Sequence, residues 1–134
     1  MNAMAPTRPT ELQVCRVRLT ASPAAASEAR SQVRAAIRAW EIPVEEDVAV
    51  LLTSELVTNA IRYEAGETVM LVISCACGRF RVDVHDTSCF VPIPVNGPAD
   101  AEAGRGLMLV SSLSSQWGFY PTPAGKAVYF TLVY

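Results

Sequence analysis

Apolar and polar positions along the chain fall into blocks of distinct period. Residues 12–19 alternate, with Gln13, Cys15, Val17 and Leu19 on one side and Leu12, Val14, Arg16 and Arg18 on the other, the pattern of an edge strand. A helical period follows. Ser22 suits an N-cap and Pro23 a first helical position, and Ala29, Val33, Ala36, Ile37 and Trp40 make one stripe of a helix ending near Trp40. Arg30, Arg34 and Arg38 lie off that stripe and read as a solvated face. Ile42-Pro43 interrupts the period and starts a second helix running to about Tyr63, with Glu45, Glu46 and Asp47 in its first turn, where the helix dipole favours acids. Val50, Val57 and Ile61 give this helix an apolar stripe in addition to the one holding Val44, Val48, Leu51 and Leu52, so it belongs at the centre of a helical layer.

A strand signal follows at residues 68–76, and Phe80, Val82 and Val84 make the inward set of a partner strand, joined by Cys77-Gly78-Arg79, which predicts a hairpin. Residues 87–103 then hold three prolines and no sustained period, a loop long enough to suggest a lid. A short apolar helix opens at Gly104-Arg105-Gly106-Leu107 and runs to about Leu113, and residues 116–121 and 126–134 form a last hairpin. The order β-α-α-β-β-loop-α-β-β predicts an α+β, two-layer sandwich with a mixed, mostly antiparallel sheet and helices on one face. Residues 1–10 read as a flexible lead-in and 11–134 as a single domain.

Composition narrows the function classes. A charged fraction of 18% beside 51% hydrophobic residues describes a globular chain. The net charge of −2, with no clustered basic run, disfavours direct nucleic-acid binding. No apolar run approaches the ~18 residues of a membrane span, so a cytoplasmic protein without a membrane partner is expected. The four cysteines, Cys15, Cys75, Cys77 and Cys89, include no Cys-x-x-Cys pair and read as reduced, mostly packed thiols.

The second helix carries an anomaly. At roughly 100° per residue, Glu55 and Asn59 project about 40° apart on its apolar side. An unpaired buried charge costs several kcal/mol, so these groups need a partner, a metal ion or an opening to solvent. A water-bridged core pair and a functional site are both compatible with the helix alone. Two further features follow in order: Asp86 at a strand end, and Gly104-x-Gly106 at a helix start, where backbone amides can approach phosphate oxygens at the positive end of the dipole. His85, the single histidine, is out of phase with Val82 and Val84 and belongs on the other face of its strand, without a catalytic role.

In combination these segments resemble the ATP-binding sites of the GHKL superfamily, which includes gyrase, histidine kinases and MutL, and within it the small anti-sigma-factor serine/threonine kinase branch. Glu55-Leu56-Val57-Thr58-Asn59-Ala60 resembles the N box, His85-Asp86-Thr87-Ser88 the first glycine box, and Gly104-Arg105-Gly106-Leu107-Met108-Leu109-Val110 the second. Trp117-Gly118 and the run from Gly125 and Lys126 to Phe130 resemble the closing hairpin of that branch. The likeness implies the Bergerat ATP-binding fold, with ATP and Mg²⁺ as cofactors. It further implies that Asn59 gives an oxygen to Mg²⁺, Glu55 acts as general base, Asp86 accepts from the adenine amino group and the amides near Gly104 and Gly106 hold phosphates. Ser88, Arg105, Leu107 and Lys126 complete the implied nucleotide set.

Two positions depart from the family pattern: Ser88 stands where the fuller box has glycine, and Tyr63 where many relatives of the branch have histidine. The partners implied are a sigma factor and an anti-anti-sigma protein of the STAS type, with homodimerisation plausible for the branch. The alternatives are a nucleotide-binding module that sequesters a partner without phosphate transfer, and an interaction domain that binds no nucleotide.

Overall fold

The computed structural model describes residues 11–62, 67–88 and 102–134, with the side chains of residues 102–105 outside the description. The expected lead-in at residues 1–10, Tyr63, Cys89 and most of the proposed lid fall outside the described residues. The elements are β1 (Gln13–Thr20), α1 (Ala25–Ala39), α2 (Glu46–Arg62), β2 (Thr68–Ala76), β3 (Arg79–Asp86), α3 (Glu102–Leu113), β4 (Gln116–Thr122) and β5 (Gly125–Val133). This is the order read from the hydrophobic periods. The five strands form one sheet, β1-β2-β3-β5-β4, in which every described pairing is antiparallel, so the sheet is not mixed.

Strand alternation decides which side chains reach the core. Val17 opposes Leu71, Leu71 opposes Val84, Val84 opposes Val128, and Val82 opposes Phe130, all buried or half-buried beneath the helices. Leu19, Val33, Leu52, Leu56, Val57, Ile73, Phe80 and Phe130 are almost wholly enclosed between sheet and helices. Burying each of the larger side chains contributes about 1.5–3 kcal/mol, the main force holding the two layers together. Thr53, also buried, donates to the carbonyl of Ala49 at 2.8 Å and so leaves its hydroxyl satisfied.

Local chemistry shifts several element ends. Ser22 does not cap α1: the cap position is Ala24, with no side-chain hydrogen bond, and Ser22 contributes its carbonyl to the turn that precedes the helix. Leu51 was expected on the packed side of α2 and stays 38% exposed. Cys77 and Gly78 both have positive φ, 54° and 76°, the backbone of a two-residue hairpin turn, so Cys77 has left the strand that carries Cys75. Burial raises the Cys75 thiol above its ordinary pKa, in keeping with a packed, protonated cysteine.

The arginines of α1 are more than a solvated face. Arg34 and Arg38 reach the Glu46 carboxylate at the start of α2, at 3.2 and 2.9 Å, and Arg30 donates to the Ser54 hydroxyl at 3.0 Å. The hydrogen bond from Arg38 leads the effects that lower the Glu46 pKa. Solvent screens such exposed pairs, so they orient α1 against α2 more than they stabilise the fold. Other arginines, Arg16 and Arg18 on β1 and Arg79 and Arg81 on β3, have the parity of the sheet face opposite the helices.

Candidate nucleotide site

Glu55 and Asn59 lie one turn apart on α2, and the structure treats them differently from every other buried polar group nearby. Asn59 is 5% exposed, yet among the described residues its amide makes no hydrogen bond. Glu55 is half-buried and likewise has no ion-pair or hydrogen-bond partner among the described residues. Burial raises the Glu55 carboxyl above its ordinary pKa, making it a better proton acceptor than an exposed glutamate. A buried amide without a partner costs about 1–3 kcal/mol, which a ligand supplying that partner would recover.

α3 packs against this face of α2 without supplying that partner. Gly106 lies directly against the Glu55 carboxylate, so that a Cβ built on Gly106 would collide with Oε1. Leu107 and Val110, both buried, fasten this helix to the core beside α2. The sequence placed Gly104 and Gly106 just ahead of a helix, whereas α3 begins at Glu102 and holds both glycines within it. In an α-helix the first four N–H groups, counted from the residue before the first helical one, lack partners, which among the described residues leaves free amides at 102–104 and puts Gly106 beyond them. The glycine at 106 therefore serves close approach to Glu55. Gly104 and Arg105 share this first turn, and the Arg105 side chain lies outside the described part.

On the sheet, Asp86 ends β3 with its side chain on the helix side, in phase with Phe80, Val82 and Val84. Its register partner is Lys126 on β5, and the two form a buried ion pair, with Nζ 2.9 Å from Oδ1 and 2.7 Å from Oδ2. The Ser88 backbone N–H also donates to Oδ1, at 2.8 Å. Gly125, one residue before Lys126, has no room for a side chain: a Cβ there would run into the Asp86 carbonyl and the Thr87 backbone. That close approach lets the β4–β5 turn press Lys126 against Asp86.

The sequence singled out Asp86 and Lys126 separately but did not join them. The signal was available, since both residues occupy the inward parity of strands that the register sets face to face. It also missed a polar cluster on the open face of the sheet. There Arg81 grips Asp83 through two 2.8 Å hydrogen bonds, Tyr120 donates to the same carboxylate at 2.9 Å, and the Arg81 guanidinium lies 4.0 Å from the centre of the Tyr129 ring. Burial, then the charge of Asp83, raises the Tyr120 pKa. His85 borders this cluster edge-on to Tyr120, on the face its phase predicted.

The donor set suits Mg²⁺ with a nucleotide. Mg²⁺ takes oxygen ligands and keeps much of its water, so a single orphaned amide oxygen at Asn59, completed by phosphate oxygens, is a fitting contribution from protein. Among the described residues there is no cluster of three or more acidic, histidine or cysteine side chains arranged to hold a metal ion without such help. No described helix is long and apolar enough to cross a membrane.

Comparison with curated proteins finds no match. A family model for the Histidine kinase-like ATPase domain matches residues 19–132, which take in α1, the Glu55–Asn59 turn, Asp86, α3 and both strands of the closing hairpin. The chain belongs to the Histidine kinase-like ATPase domain family.

Proposed function

We propose that this protein is a Mg²⁺- and ATP-dependent protein serine/threonine kinase, and that it also acts as an anti-sigma factor whose substrate is an anti-anti-sigma partner of the STAS type. Membership of an ATPase domain family supports ATP as the nucleotide. The observation that carries the catalytic part is the buried, unpartnered Asn59 amide one turn from Glu55, whose carboxylate rests on Gly106. Bound Mg²⁺-ATP would supply the γ-phosphoryl group and the cation that offsets its charge.

The residues divide the work by chemistry. Asn59 offers its side-chain oxygen to the cation, and the N-terminal turn of α3 turns its free amides toward phosphate. Glu55, more basic than an exposed carboxylate, would accept the proton of the attacking serine or threonine hydroxyl as its oxygen bonds to the γ-phosphorus and the bond from that phosphorus to the β–γ bridging oxygen breaks, with ADP leaving. Asp86 faces the base, where its carboxylate accepts from the adenine amino group. Leu107 and the core beneath it keep α3 against α2 and hold Glu55 in place.

The test is phosphate transfer from labelled ATP to a supplied STAS protein. Glu55→Gln is expected to lower the transfer rate by about a hundredfold or more, the usual contribution of a general base, while ATP affinity changes only a few-fold. Equal transfer by the variant and the wild type would refute Glu55 as the base. Nucleotide binding with no transfer by either protein would favour a regulatory module that sequesters its partner without chemistry.

A further inference from the structure

The helices cover one side of the sheet, and strand register assigns a distinct set of side chains to the other. β1 contributes Arg16 and Arg18 to that open face, β3 contributes Arg79, Arg81 and Asp83, and β2, between them, contributes Met70, Val72 and Ser74. Arg16, Arg18 and Arg79 are exposed, and none of the three has a hydrogen-bond or ion-pair partner among the described residues. The β2 residues are uncharged and half-buried. A shallow apolar track therefore runs between arginines on strands about 10 Å apart, two strand spacings.

The charges on this face are of one sign. The chain holds 13 acidic residues against 11 lysines and arginines, yet among the described strand residues of this parity the only acid is Asp83, and Arg81 engages both of its oxygens. Three unmatched positive charges remain. A face that only meets water intersperses both signs, whereas a single-signed one draws in a partner of opposite charge. The surface is also rigid: Tyr120 fixes Asp83, and the Tyr129 ring lies over Gly118, where a Cβ would meet it at 2.9–3.1 Å. Little ordering is needed when a partner lands.

We propose that the open sheet face docks an acidic segment of a partner protein, laid along β2 with apolar side chains on Met70 and Val72 and carboxylates reaching Arg16 and Arg18 on one side and Arg79 on the other. Guanidinium groups suit carboxylates because they donate in parallel pairs. Two other occupants fit worse. A second copy placed face to face about a twofold axis sets arginines against arginines. Residues 1–10, the stretch ahead of β1, hold Arg8 and no acid. Glu55 and Asn59 lie on the helix side of the sheet, so a partner docked on the open face leaves them uncovered.

Fluorescence anisotropy on the full chain with a labelled oligo-glutamate peptide at low salt tests this. The wild type is expected to bind, and the triple variant Arg16→Gln, Arg18→Gln, Arg79→Gln to bind at least about tenfold more weakly. The double variant Arg34→Gln, Arg38→Gln removes arginines already engaged by Glu46 and is expected to bind as the wild type does. No binding by the wild type, wild-type affinity in the triple variant, or an equal loss in the double variant overturns the proposal. Tighter binding of an oligo-thymidylate of equal charge overturns it in favour of a nucleic-acid surface. A wild-type dimer in sedimentation that the triple variant dissociates overturns it in favour of a second copy.

Discussion

Asp83 and Glu55 are both acids set against the folded body of the protein, on opposite sides of its sheet, and they are treated in opposite ways. Both Asp83 oxygens are engaged by Arg81, one of them also by Tyr120, and Arg81 is itself stacked on Tyr129. Glu55 and its neighbour Asn59 have no such company among the described residues, although Asn59 is as buried as Asp83. A fold that satisfies one acid so fully is not short of donors. The contrast makes the open-face cluster part of the scaffold and, under the proposed function, the α2 pair the groups kept for a ligand. The Asp86–Lys126 pair, on the helix side of the sheet, is satisfied internally as Asp83 is.

Variants should separate these classes, the largest effect coming from the most buried pair. Asp86→Ala strands a buried ammonium and should cost about 3–5 kcal/mol in urea unfolding. Asp83→Ala, on the open face, removes charge-assisted bonds to a half-exposed arginine. It should cost no more than about 1.5–3 kcal/mol while nucleotide affinity stays at the wild-type level. An equal loss of binding in both variants would erase the distinction between scaffold and site.

Gly106→Ala sharpens the comparison differently. Alanine gains up to about 1 kcal/mol of helix propensity over glycine, and the atom it strikes is the movable end of the Glu55 side chain. Stability should therefore stay within about 1 kcal/mol of wild type, while phosphate transfer falls at least about tenfold as Glu55 is displaced. Gly125→Ala meets backbone atoms that cannot step aside, and should destabilise the protein by about 1–3 kcal/mol.

The smallest effect is a pH dependence. Burial raises the Glu55 pKa above its unfolded value, so the group favours the folded state below the unfolded pKa, and that contribution fades as pH rises through the folded one. Glu55→Gln should match wild-type stability near pH 3 and exceed it at pH 7, as read by thermal unfolding at the two values. A wild type that becomes the more stable of the two as pH rises would contradict an unpartnered Glu55.

Much of this was legible because hydrophobic period and strand parity are local properties. The apolar run at residues 68–76 placed one strand, the period-two run Phe80–Val82–Val84 placed its partner and that strand's inward face, and the same parity put His85 outside. The Glu55–Asn59 anomaly was visible as polar residues on an apolar helical stripe. What escaped the sequence depends on register or on an element end. The Asp86–Lys126 pair joins residues 40 positions apart and follows only once β5 is set beside β3. The start of α3 at Glu102 precedes the glycines that suggested it, because Gly104 and Gly106, conspicuous as turn residues, are within the helix and one of them serves contact with α2.

The central claim is that the α2 pair serves a metal-bound nucleotide, and titration of Mg²⁺-ATP into wild type and Asn59→Ala by calorimetry tests it most directly. The wild type should bind, and the variant, folded and freed of an orphaned amide, should bind at least about tenfold more weakly. Equal affinity in the two proteins, or no binding by the wild type, would contradict it.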